Sequence, residues 1–95
     1  MRDTDAIHPG ITLQEDFIEP LHLTANKLAM IIGVPQNRIS EICRGRRGIS
    51  ADTALRFERA FGVSAHFWLN LQQQYDLIKA AQQVGNLDNI QIIAA

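Results

Sequence analysis

Apolar residues recur along this chain at helical spacing, and turn-forming residues divide them into five helical stretches. The first is expected over residues 12–18, with Leu13 and Phe17 as its inward stripe and Gln14, Glu15 and Asp16 facing water. His8-Pro9-Gly10 supplies turn chemistry before it, and Pro20 stops it by pushing the preceding residue out of helical backbone. Leu21 and Leu23 are expected to anchor the connection in the core, while His22 tolerates an unusual backbone angle between them. Thr24 caps a second helix over 25–32, on which Leu28 and Ile32 share a face. Gly33 ends it with positive φ. Pro35 suits the first position of the next helix, where its missing N–H costs nothing, and that helix is expected over 36–44 with Ile39 and Ile42 inward. Ser50 caps a fourth helix closed by Gly62, with Asp52 complementing its dipole, Leu55 and Phe61 in the core, and Arg56 and Arg59 outward.

Ser64 caps the last and longest helix, expected over 65–84. Trp68, Leu71, Tyr75 and Ile78 make one continuous stripe; Phe67, Leu77, Ala81 and Val84 make a partial second. Twenty residues span roughly 30 Å, more than four short helices can cover. The far end of this helix therefore needs another partner, and homodimerisation through Tyr75, Leu77, Ile78, Ala81 and Val84 is expected. Gly85-Asn86 breaks the helix, and Ile90, Ile92 and Ile93 beyond it suit a short strand or a tail tucked into the dimer. The expected organisation is a flexible leader (1–7), one all-α domain (8–84) and a tail (85–95).

The stretch 24–44 organises the rest. Apolar residues at 28, 32, 34, 39 and 42, with small Ala29 and Gly33 where two steeply crossing helices approach, form a helix-turn-helix pattern. A generic helical hairpin needs neither small residue at those points. Met30 and Ile31 lie on faces such a motif leaves polar; packing against the first or fifth helix, or a protein contact, would account for them.

Composition changes the picture little, but charge distribution changes it a great deal. The chain has 95 residues, 46% hydrophobic, enough for one modest core. No apolar run reaches membrane-spanning length, and the N-terminus lacks signal-peptide features, so a cytoplasmic protein is expected. The single Cys43 has no Cys partner for a disulfide or zinc site and reads as a small, partly buried hydrophobe. Net charge is −1, yet Lys27, Arg38, Arg44, Arg46 and Arg47 gather around the helix-turn-helix against Glu41 alone. Such a basic patch is what phosphate neutralisation needs.

A DNA-binding reading follows, in which the third helix enters the major groove. Gln36 and Asn37 carry the paired donor and acceptor that read adenine; Arg38 or Arg44 could read guanine or hold a phosphate. Ser40 faces the groove one turn later. Glu41 could accept from cytosine, orient Arg38 or Arg44, or repel wrong sequences. Thr24, Asn26, Lys27, Arg46 and Arg47 are placed for the DNA backbone, the last two in a loop whose glycines, 45 and 48, permit a close approach. A dimer implies a palindromic operator. No catalytic or metal-ligating constellation appears: His8, His22 and His66 lie in separate elements and read as turn or surface residues.

Residues 24–47 resemble the helix-turn-helix of the lambda-repressor-like (Xre) superfamily. The strings His8-Pro9-Gly10, Glu19-Pro20-Leu21, Gly33-Val34-Pro35, Asn37-Arg38-Ile39, Arg47 to Arg56 and Phe67 to Gln72 narrow the resemblance to HigA-type (VapI-like) addiction-module antitoxins, over roughly residues 8–78. That resemblance implies a five-helix lambda-repressor-like fold and a small dimeric repressor that binds its own promoter. It also implies a co-encoded, small basic toxin, usually a RelE-like messenger-RNA endonuclease, which the protein neutralises. No enzyme activity and no cofactor are implied. Ala25, His22 and Ile11 depart from residues frequent in the family; the first leaves a phosphate contact to Asn26. Glu15, Asp16 and Glu19 offer an acidic face to such a toxin. A stand-alone repressor with the same fold is the alternative.

Overall fold

In the computed structural model, residues 6–94 are described; most of the leader expected over 1–7 lies outside them. Trp68 is the centre of the packing. It is fully buried, and the rings of Phe17, Phe57, Phe61 and Phe67 surround it with centroids 4.8–6.1 Å away. Tilted and edge-on pairs of this kind are favourable beyond the area they bury. Three helices build this cluster: α1 (Pro9–Thr12, continued by a π-helical segment, Leu13–Ile18), α4 (Ala51–Phe61) and α5 (Ala65–Gln83), while α2 (Ala25–Ile32) packs against α4. Between α2 and α4 lies α3 (Gln36–Cys43), whose Ile39 and Ile42 are fully buried. A short 3₁₀ turn, Leu87–Asn89, follows α5, and no strand occurs among the described residues.

The first helix departs from the expected 3.6-residue period. Its bonds run five residues back, as from Glu19 N–H to the Gln14 carbonyl, so that Leu13 and Ile18 rather than Leu13 and Phe17 are the buried pair. Phe17, half-buried, turns toward the aromatic cluster. The helix also starts earlier than expected, at Pro9, because His8 caps it: its Nδ1 accepts the Gly10 N–H at 2.9 Å. His8 is therefore buried, not a surface residue.

Several expectations need correction. Leu21 is exposed, and only Leu23 of that pair reaches the core. His22 does take the left-handed region, at φ 56°. Pro35 is the cap residue of α3, with ψ 142°, rather than its first residue, and the helix starts at Gln36 as expected. On α4 the core residue is Phe57, 0% exposed, whereas Leu55 is 60% exposed and Phe61 half-buried. Arg56 does not point outward: its guanidinium donates to the Ile32 carbonyl at 2.7 Å, satisfying an acceptor that α2 leaves open at its C-terminal end. Met30 and Ile31 are exposed rather than packed into the core.

The fifth helix leaves the globular body. From Ala80 to Ala94 every residue is exposed, including Val84, Leu87, Ile90, Ile92 and Ile93. The molecule is accordingly elongated, 50 × 23 × 23 Å, with a radius of gyration of 15.9 Å. A compact chain of this length would give about 12 Å. The tail neither forms a strand nor tucks against its own domain.

Candidate nucleic-acid interface

The local sequence sets the pose of the motif. The Thr24 hydroxyl accepts the Lys27 N–H at 3.1 Å and so caps α2, leaving Thr24, Asn26 and Lys27 exposed at its start. Gly33, at φ 74°, turns the chain into α3. At the far end of α3, Arg46 N–H bonds to the Glu41 carbonyl at 2.8 Å and Gly45 N–H to the Ile42 carbonyl at 3.0 Å. These two bonds with Gly45 at φ 74° make a Schellman termination, which sends Arg46 and Arg47 away from the helix axis.

On α3 itself Gln36 and Asn37 are exposed in the first turn, and the Ser40 hydroxyl donates back to the Asn37 carbonyl at 3.2 Å. The charged residues divide into two groups. Arg38 is half-buried and pairs with Asp52 at 3.3 Å, and Asp52 also accepts from Arg56 at 2.7 Å, so these three side chains tie α3 to α4 and α2. The Arg56 hydrogen bond, helped by the charges of Arg56 and Arg38, holds the Asp52 carboxyl below the usual carboxylate range. Glu41 pairs with Arg47 at 2.8 Å, and not with Arg38 or Arg44. Lys27, Arg44 and Arg46 have no carboxylate partner among the described residues. The exposed cations and the two amides thus fall on α2's start, α3's start and the loop after α3.

Two residues beneath that loop were not singled out as site residues by sequence. The His8 ring packs under Gly45 and meets Tyr75 edge-on at 4.9 Å; burial pushes its pKa down. Gln72 of α5 accepts the Ile49 N–H at 2.7 Å through Oε1. The close approach that Gly48 permits is to this Gln72 amide, since a Cβ there would lie 3.1 Å from it. Both residues sit inside the short strings that carry the family resemblance, and that was the only signal for them.

The expected dimer residues do not all behave alike. Leu77, Ala81 and Val84 are exposed, whereas Ile78 is half-buried and Tyr75 is half-buried against His8. Asn70, Gln73, Gln74, Leu77 and Ile78 line a shallow groove along this part of α5.

Residues 15–68, the segment from the π-helical turn to Trp68, match the family model described as helix-turn-helix. The chain belongs to this family. Virulence-associated protein I of Dichelobacter nodosus is 48% identical over 85 residues, covering 90% of this chain and 79% of that protein. The antitoxin GraA, solved in complex with its operator, is 39% identical with a TM-score of 0.88, covering 100% of this chain and 95% of that one. The Pseudomonas aeruginosa antitoxin HigA, solved with the higBA promoter, is 34% identical with a TM-score of 0.85, covering 95% and 100%. The fold is thus the five-helix, lambda-repressor-like one, and its solved neighbours are antitoxins of the HigA and GraA type. The family is one of DNA-binding regulators, not of enzymes. No helix among the described residues is long and apolar enough to cross a membrane.

Proposed function

We propose that this protein is a HigA-type antitoxin that binds a palindromic operator as a homodimer, represses its own operon and neutralises a co-encoded RelE-like toxin. The observation that carries the DNA part is the exposed first turn of α3, Gln36 and Asn37, beside Lys27, Arg44 and Arg46, cations with no carboxylate partner among the described residues. Operator and promoter complexes of structures 39% and 34% identical support it. In this reading Gln36, Asn37, Ser40 and Arg44 meet base edges, and Thr24, Asn26, Lys27, Arg46 and Arg47 meet phosphates. Arg38, and the Glu41–Arg47 pair, are held by ion pairs and reach DNA only by exchanging those partners for it.

Dimerisation is supported by the length of α5 that leaves the body with Leu77, Ala81 and Val84 exposed. Toxin neutralisation is supported by the likeness to named antitoxins and, more weakly, by the exposed acids Glu15, Asp16 and Glu19 on one face. Relatives named only as transcriptional regulators, such as one from Escherichia coli that is 30% identical, favour the stand-alone repressor as the second reading.

Binding to a duplex from upstream of the chain's own reading frame tests the DNA assignment. Gln36→Ala should cost about 1–3 kcal/mol at one base position per half-site, whereas Arg46→Ala should weaken binding to all sequences and lower the salt slope by about one. Wild-type binding by both variants would refute it. Co-expression with the neighbouring small reading frame separates the two readings. If the neighbour arrests growth and this chain restores it, the protein is an antitoxin; if no neighbour is toxic, it is a repressor.

A further inference from the structure

The loop that carries Arg46 and Arg47 is exposed from Arg44 to Gly48, yet both its ends are fixed. Its entry is set by the Schellman bonds of Gly45 and Arg46 on α3. Its exit is set by α5, 23 residues further on: the Ile49 N–H donates to Gln72 Oε1 at 2.7 Å while the Ile49 side chain is buried. Gln72 is itself oriented, because its Nε2 donates to Asp76 Oδ1 at 3.0 Å. A flipped amide would set its donor against the Ile49 N–H and its acceptor against the carboxylate, so only one orientation serves both bonds. The missing Cβ of Gly48 leaves room for that amide to lie against the loop backbone.

We propose that Gln72 is a positioning residue for operator binding, which holds the 45–49 loop on α5 so that Arg46 and Arg47 face DNA already ordered. The proposal rests on the DNA-binding reading above. Two long, rotamer-rich side chains on a loose loop would pay an ordering cost on binding, and anchoring the loop removes part of it in advance. Because α5 is also the proposed dimer helix, the same hydrogen bond ties each basic loop to the frame that sets the spacing between half-sites.

The test is a mutant cycle on DNA affinity, read with the upstream duplex and with a shuffled duplex of the same composition. Gln72→Ala should weaken binding to both duplexes by about threefold to tenfold, the worth of one intramolecular hydrogen bond. In an Arg46→Ala/Arg47→Ala background the same change should have little further effect, because Gln72 acts through those side chains. The reversed pair Gln72→Glu/Asp76→Asn conserves net charge, keeps an acceptor for the Ile49 N–H and receives a hydrogen bond from the new amide. It should restore affinity that Gln72→Glu alone loses. An equal loss in both backgrounds would mean that Gln72 serves only general stability, and would overturn the proposal. So would unchanged affinity of Gln72→Ala when the wild type binds. If the wild type bound neither duplex, the DNA-binding reading itself would fall, and the proposal with it.

Discussion

Replacing Phe57 with alanine would remove a ring that is wholly buried, 4.8 Å from Trp68 and 5.8 Å from Phe61 between ring centroids. Neither neighbour can slide into the space, because Trp68 is held in α5 and Phe61 is turned toward Phe17 at 4.8 Å. The substitution should therefore sit in the usual range for phenylalanine to alanine in a core, about 3–5 kcal/mol. For a chain of this size that is a melting temperature lower by roughly 15–30 °C. Leu55, two residues earlier on the same helix, is 60% exposed, and Leu55→Ala should cost less than about 1 kcal/mol. The assay is urea unfolding followed by far-ultraviolet circular dichroism, with every variant at one protein concentration because a dimer's stability depends on it. The periodicity of the sequence alone favours Leu55 as the core residue, so the comparison discriminates. If Leu55→Ala proved as costly as Phe57→Ala, the rotation of α4 that buries Phe57 would be wrong.

Other outcomes follow from single contacts. A Cβ on Gly10 would overlap the Ile42 carbonyl, so Gly10→Ala should lift α1 from α3 and cost about 1–3 kcal/mol by the same unfolding assay; near-wild-type stability would refute the packing of α1. His8 is held neutral in the fold, since its Nδ1 accepts the Gly10 N–H and burial lowers its pKa, chiefly by desolvation against a raising influence from Asp76. The unfolded chain then binds more protons, so the His8 contribution should be complete above the ordinary value of 6.5 and decline as pH falls below it. The urea midpoint should drop between pH 7.5 and 5.5 in the wild type and drop less in His8→Asn, which keeps a cap acceptor without the titration; equal drops would remove His8 as the cause. Leu77→Asp should convert a dimer to a monomer in sedimentation or light scattering, and a monomeric wild type at micromolar concentration would refute dimerisation through α5.

Much of this molecule was determined by its sequence alone, because the signals are local. A hydroxyl that caps α2, glycines at Gly33 and Gly62 with positive φ, and apolar spacing on α2 and α3 depend on residues within one turn of each other. The clustering of five cations around the motif is likewise a property of the chain order. Tertiary structure decided what depends on distant partners. The π-helical slip that buries Ile18 and sets Phe17 against Trp68, and the choice of Phe57 over Leu55, follow from which face meets Trp68, a residue 11 positions beyond Phe57. Which arginines are available was equally hidden. Arg38 is held by Asp52 and Arg56 by the end of α2, because helices separated in sequence bring those groups within 3.3 Å, while Arg47 is paired with Glu41 where the loop turns back on its own helix. The hold of His8 and Gln72 on the basic loop belongs to the same class, since a hydrogen bond across 23 residues leaves no periodicity to detect.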